Sequence, residues 1–263
     1  MRGRRELSAA PRNAPLFFAP FIAVLGRFLE YSIPTADIRV SLDFYTNLGF
    51  SQAEVGETWP HPYAVVTDGR IHLGLHRLPE AAPALTFVKS DLLRHLEALE
   101  QVGVRFEFRR LGNDVFNELG WLDPSGHLIR MVEARTFSPL KRAATEMSLC
   151  GYFAEIALPS SGTPFAKEYW EKLGFVGMDE FEAPLPHVSC TSDSIDIGLY
   201  EAAHLPLPTL VFETGDVREA VKRLADAGVS PSPQLPRALR DRSAVLLTAP
   251  EGTPILLMPE GEI

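Results

Sequence analysis

The chain repeats itself, and this constrains its fold more than any other feature. Glu30-Tyr31-Ser32-Ile33-Pro34 returns as Glu155-Ile156-Ala157-Leu158-Pro159, 125 residues later. At the same spacing Phe44…Leu48-Gly49-Phe50 becomes Tyr169…Leu173-Gly174-Phe175. Pro83-Ala84-Leu85 and Asp91 become Pro208-Thr209-Leu210 and Asp216, and Gly103-Val104 becomes Gly228-Val229. Separate matches at one offset mark a duplicated unit rather than chance composition. The division that follows is an N-terminal extension over 1–27, a first domain over 28–136, a linker over 137–149 and a second domain over 150–260. Pro139, Lys141 and Arg142 give the joining segment the composition of a linker.

Each half divides again. Residues 29–34 alternate as a strand, with Leu29, Tyr31 and Ile33 on one face and Glu30 and Ser32 on the other. A helix follows, and Gly49 sits where a helix C-terminus favours glycine. Tyr63 to Val66 and Ile71 to His76 read as strands joined by the turn Thr67-Asp68-Gly69. The order is β-α-β-β-β. Residues 84–133 repeat it: a strand over Leu85 to Val88, a helix opened by Asp91 with Leu92, Leu96 and Leu99 on one face, then strands closed by the turn Asp123-Pro124-Ser125-Gly126. In the second half, Asp216…Glu219 has the spacing of a capping box, followed by Val217, Ala220, Val221 and Leu224 on one helix face.

Four such modules, with Asp37…Phe44-Tyr45…Leu48-Gly49-Phe50 and Leu122-Asp123-Pro124-Ser125-Gly126-His127, resemble the vicinal-oxygen-chelate superfamily of glyoxalases, bleomycin-resistance proteins and dioxygenases. The resemblance covers nearly all of residues 28–260. It implies an α+β fold in which the four βαβββ modules pair into two U-shaped, eight-stranded mixed sheets, each enclosing a cavity, with helices on the outer faces. It does not choose between binding protein and enzyme.

The resemblance also implies where a metal would be held: on the first and last strands of each module, by His, Glu or Gln. In this sequence the first-strand positions are Glu30, Ala84, Glu155 and Thr209. On the last strands, alternation assigns Arg130 and Leu256 to the ligand positions of modules two and four. A guanidinium stays charged at any accessible pH and cannot bind a cation. In module one, Leu73 and Leu75 point to the core, so His72, Gly74 and His76 face the cavity. In module three the same face carries Asp196, Gly198 and Tyr200. The expectation is a protein with no tightly held catalytic metal, because three good protein ligands are not assembled. A weakly held divalent ion near Glu30 with His72 or His76 is the alternative.

The functional expectation is a small, partly aromatic or anionic molecule bound in a cavity. The alternative is a lyase or isomerase in which Arg130 clamps an anionic group while Glu30 or His76 moves a proton. Glu30 and Arg130 are expected to face each other across the first cavity. Trp59, His61 and His72 on that side, and Glu155, Tyr200 and Asp196 in the second half, are the candidate ligand-binding residues. His127 is expected to be exposed; His187 follows Pro184-Leu185-Pro186 at a place comparable to Tyr63, and nothing in the sequence supports a rim role for it. A metal-dependent glyoxalase or dioxygenase relative is the remaining reading.

Composition narrows the partners. A net charge of −9 disfavours nucleic acid, whose phosphates call for a basic surface. Two cysteines, Cys150 and Cys190, make no disulfide framework, which fits a cytoplasmic protein. The apolar run Ala14 to Leu25 is 12 residues long, too short to span a bilayer, and Pro15 and Pro20 interrupt it. No membrane partner is expected, and the assembly is expected to be a monomer or a homodimer. Neither a glycine-rich phosphate loop nor a G-x-S-x-G elbow is present.

Overall fold

The computed structural model describes residues 24–54, 59–78, 81–134 and 148–262. Most of the expected extension and linker lies outside the described residues. The first half runs β1 (Arg27–Pro34), α1 (Ile38–Asn47), β2 (Ser51–Gln52), β3 (Tyr63–Thr67), β4 (His72–His76), β5 (Ala84–Lys89), a 3-10 turn into α2 (Leu96–Gln101), β6 (Phe106–Arg110), β7 (Glu118–Leu122) and β8 (Leu128–Glu133). The second half runs β9 (Tyr152–Ser160), α3 (Thr163–Lys172), β10 (Val176–Phe181), β11 (His187–Thr191), β12 (Asp196–Glu201), β13 (Thr209–Thr214), α4 (Val217–Asp226), β14 (Val245–Thr248) and β15 (Pro254–Pro259).

Two mixed sheets result. The first has eight strands in the order β2-β3-β4-β1-β5-β8-β7-β6, and the second has seven in the order β10-β11-β12-β9-β13-β15-β14. In each, the first strands of two modules meet antiparallel at the centre, and each pairs in parallel with its own module's last strand. The second sheet is one strand short of the expected eight. Pro231, Pro233 and Pro236 crowd the segment before β14, and a proline has no N–H to give to a ladder. That segment keeps a backbone bond from Ser232 to Leu246, 2.7 Å long.

Local chemistry sets the helix ends. Asp37 caps α1, its Oδ1 accepting from the backbone of Arg39 and Val40 at 2.9 and 3.3 Å. Gly49 and Gly174 follow α1 and α3 with φ of +89° and +103°, a region that β-carbon-bearing residues avoid. In module two the expected helix begins as a 3-10 turn over Leu92–His95, after Asp91 at φ +57°. There the Leu92 N–H is held by Glu133 at 2.8 Å rather than by an Asp91 cap.

The convex faces and the helices share one apolar core that runs through both halves, from Tyr31, Leu73 and Met131 to Ile156, Phe212 and Leu257. The contacts between halves are reciprocal. On α1, Tyr45 Oη and Ser41 Oγ donate to the two oxygens of Glu251 at 2.7 and 2.8 Å. On β7, Trp121 Nε1 donates to Tyr169 Oη of α3 at 2.8 Å. His127, expected to be exposed, is half-buried and its Nε2 lies 2.8 Å from Pro159 O across the same junction. No helix among the described residues is long and apolar enough to cross a membrane.

Candidate functional site

Strand alternation places two residue sets on opposite sides of the first sheet. Tyr31, Leu73, Leu85, Ile129 and Leu119 enter the core. Their neighbours Glu30, Gly74, Thr86, Arg130 and Glu118 therefore face the concave side. Glu30 is buried, and its Oε1 lies 2.6 Å from His76 Nε2. Ser32 Oγ donates to the same oxygen at 2.8 Å, and Thr86 Oγ1 lies 2.7 Å from Ser32 Oγ. On the far side of His76, its Nδ1 lies 2.9 Å from Nε2 of His61. Five side chains from three strands and one loop thus form a continuous polar chain. Tyr63 stacks on His76 at 5.8 Å and 9°, and Trp59 meets the same imidazole edge-on at 5.1 Å.

Glycine makes room for this chain. A β-carbon at Gly74 would stand 2.4 Å from the Glu30 carboxylate carbon and both oxygens. Gly74→Ala is expected to push Glu30 off His76 and to cost about 1–3 kcal/mol, as overpacked sites do. A urea titration that finds an unchanged midpoint would show that the carboxylate does not lie across Gly74.

Arg130 does not pair with Glu30. In register, Glu30 on β1 faces Thr86 on β5, and Thr86 faces Arg130 on β8, so a strand separates them. The ion-pair partner of Arg130 among the described residues is Glu118 on β7, at 3.8 Å from Nε, beyond hydrogen-bond range. Glu118 is also paired to Arg110 through its other oxygen. The Arg130 side chain is 12 % exposed, and its buried Nε has no hydrogen-bond partner. The guanidinium carbon lies 5.3 Å from the Trp59 ring centre, a cation–π contact, and Phe116 closes on Trp59 at 5.2 Å. Burial lowers the Arg130 pKa against Glu118 and Glu30, but a guanidinium starts high enough to remain charged. The pKa of His61 is also pushed down, by partial burial first, then by His76 and Arg130.

The structure thus gathers Glu30, His76, His61, Trp59 and Arg130 in one place. His72 is half-buried at the start of β4, two residues from Gly74 on the same face, and His76 rather than His72 holds Glu30. The sequence reading missed Glu118 and Phe116. Glu118 was legible, because it alternates with the core residues Leu119 and Trp121; Phe116 lies in a connection, where periodicity carries no signal.

The second half repeats the geometry with the rings exchanged. Glu155 is buried, accepting from Tyr200 Oη at 2.7 Å and from Ser189 Oγ at 3.1 Å. Tyr200 stacks on His187 at 4.5 Å and 6°, and the pair are register partners, as Tyr63 and His76 are. Gly198 again lies beneath the carboxylate; a β-carbon there would meet Glu155 Oε1 at 2.1 Å. His187 is not at a rim. It is 1 % exposed, between Phe181 and Tyr200, with Nδ1 2.9 Å from Leu185 O. Burial raises the Glu155 pKa to about 7 against the two hydroxyl donors. Asp196 is exposed and bonded to Thr191 at the end of its strand. The rest of this concave face is a second apolar core, in which Leu185, Leu205 and Leu239 from connections meet Val211, Leu256 and Met258 from strands. A residual cavity of about 10 Å³ remains beside Tyr200, barely room for one water.

The described residues of this face do not assemble a ligand set for a resident divalent ion. Glu30 and His76 are donors, but they are spent on each other, and the adjoining concave positions supply a hydroxyl and a cation. Among the described residues no group of three or more His, Cys, Asp and Glu side chains is arranged to hold a metal.

Residues 27–131 match the sequence profile of the Glyoxalase/Bleomycin resistance protein/Dioxygenase superfamily. The chain carries a domain of that superfamily. Its second half repeats the topology, so the tandem architecture expected from the internal repeat is present. No curated protein sequence matches the chain. Among solved structures, homoprotocatechuate 2,3-dioxygenase from Brevibacterium fuscum is similar with a TM-score of 0.59 at 17 % identity, over 89 % of this chain and 71 % of that one. A catechol 2,3-dioxygenase is similar with a TM-score of 0.57 at 12 % identity, over 90 % and 89 %. At such identities the likeness is one of fold, and the superfamily assignment leaves the chemistry to the site.

Proposed function

We propose that the protein binds a small anionic molecule with a flat or aromatic face on the concave side of its first half, without a resident metal. The observation that carries this is Arg130. A guanidinium that is mostly buried, with an Nε lacking an acceptor and its closest carboxylate 3.8 Å away and shared with Arg110, has donor capacity that a ligand anion would satisfy. Beside it Phe116 is partly exposed and offers aromatic surface, packed against the buried Trp59. The second half, whose concave face is filled by its own side chains, acts as the scaffold for the first.

The test is titration of the full chain with benzoate, acetate and inorganic phosphate by ligand-observed NMR. At least one of these anions is expected to bind, and Arg130→Gln is expected to weaken it about tenfold to a hundredfold, the worth of a charged hydrogen bond. Glu118 keeps Arg110 in that variant, so the fold is expected to persist. Unchanged affinity in the variant, or no binding by any of the three, would sink the reading. So would a stoichiometric divalent metal in protein purified without chelator.

A second reading, a lyase or isomerase, draws on the polar chain around Glu30 and His76, on the concave side that also carries Arg130. Glu30 and His76 are positioned to hold and orient a proton-transferring group, while Arg130 would stabilise developing negative charge. Turnover of a bound anion by the wild type, lost in Glu30→Gln with binding retained, would establish it.

A further inference from the structure

Two arginines share one carboxylate on the concave face of the first half. Arg110 on β6 and Glu118 on β7 are register partners, and Arg110 Nη1 donates to Glu118 Oε1. Arg130 on β8 lies opposite Gly120 rather than Glu118, so it reaches the carboxylate only diagonally, and its Nε stops 3.8 Å from Oε2. The first pair is a charge-assisted hydrogen bond, and the second is attraction without one.

Arg110 is seated for this. A β-carbon at Gly120 would collide with Phe108 Cζ, so the Phe108 ring covers Gly120 on the concave side. The Arg110 guanidinium carbon lies 5.5 Å from the centre of that ring, within cation–π range. An arginine from the edge strand of the sheet is thus led over an aromatic ring to an inward carboxylate. The three side chains are unequally exposed: 68 % for Arg110, 12 % for Arg130 and 8 % for Glu118. Glu118 therefore has little water to turn to, and among the described residues its charge is balanced by these two guanidinium groups.

The two claims on Glu118 are coupled. A buried carboxylate stripped of one cation turns to the other, because an unpaired buried charge is costly. Without Arg110, a shift of about 1 Å would bring Glu118 Oε2 into hydrogen-bond range of Arg130 Nε. The orphaned Nε would then be satisfied from within, and an incoming anion would have to displace a carboxylate already in place. We infer that Arg110 keeps Arg130 open: by holding Glu118 and offsetting its charge, it leaves the buried guanidinium to a ligand anion. Arg110 is thus a positioning residue that acts through Glu118, and Glu118 is the internal rival of the ligand. The inference rests on the anion reading and adds how that site is kept available.

The test is two variants and their combination, each titrated as the full chain with benzoate, acetate and inorganic phosphate by ligand-observed NMR. For an anion that the wild type binds, Arg110→Gln is expected to weaken affinity about threefold to tenfold, the worth of one hydrogen bond. Glu118→Gln is expected to tighten it by a similar factor. Arg110→Gln combined with Glu118→Gln is expected to bind at least as well as the wild type. That rescue sets the positioning role apart, because an arginine that touched the anion itself would leave the double variant as weak as Arg110→Gln. Arg110→Lys, which keeps a cation at this mostly exposed position, is expected to stay near the wild type. Unchanged affinity in Arg110→Gln overturns the inference and leaves the anion reading standing, as does a double variant no stronger than Arg110→Gln. Should the double variant fail to fold, the Lys and Gln variants of Arg110 decide alone, and equal affinity in the two overturns the inference. If no anion binds the wild type, both proposals fall.

Discussion

Trp121→Ala is expected to destabilise the protein by about 3–5 kcal/mol, the range for deleting a large buried aromatic. The ring is fully buried, stands edge-on to Phe106 at 5.8 Å and donates across the junction between halves to Tyr169. Its loss opens a cavity and strips a bond from the α3 tyrosine in the other half. Because the apolar core is continuous through both halves, urea denaturation is expected to show one cooperative transition in wild type and variant alike, with the midpoint displaced. Separate transitions for the two halves would contradict a shared core. Trp121→Phe, which keeps an aromatic but not the indole N–H, is expected to cost less.

The second large effect is on pH dependence. Glu155 has its proton affinity raised, from an ordinary value of 4.5 to about 7, chiefly by burial. A carboxyl that holds its proton more tightly when folded favours the folded state at low pH. That contribution is full below about 4.5 and is lost as pH rises through about 7. The swing corresponds to about 3 kcal/mol. Glu155→Gln, which keeps an oxygen for Tyr200 or Ser189 and cannot ionise, is expected to gain stability relative to wild type as pH climbs from 5 to 8. Urea titrations at those two pH values measure it. Parallel behaviour of the two proteins would mean that Glu155 is ionised and satisfied in the fold across the range.

Much of the architecture was legible because it is written in local periodicity and in the repeat. The strand holding Glu30, the glycine after each α1-type helix and the Asp-Pro-Ser-Gly turn lie where alternation and turn chemistry put them. So does the division of each strand into core and concave faces, which brought Glu30, His76 and Arg130 to the same side. What eluded the sequence depends on neighbours distant along the chain. Arg130 was expected opposite Glu30, but sheet order inserts Thr86 between them and supplies Glu118 from β7. The burial of His187 carried no sequence signal, because nothing local shows that Leu185, Leu205 and Leu239 descend from connections to fill the second concave face. Pro231, Pro233 and Pro236 leave the segment before β14 short of N–H groups for a ladder, which fits its lack of a full strand. His61 showed no periodic signal, and its role emerges from its distance to His76.

The exchange of rings between halves makes the two faces unequal targets for mutation. In the first half, Glu, His and Tyr end in a histidine that a solute can reach. In the second, Glu, Tyr and His end beneath leucines and a methionine. A saturation map scored separately for abundance and for ligand capture would therefore carry two fingerprints over one duplicated fold. Substitutions at Glu155, Tyr200 and His187 would register as changes in how much folded protein accumulates. Those at Arg130 would register chiefly as weakened ligand capture. Positions that were once copies of each other would fall into different columns of that map.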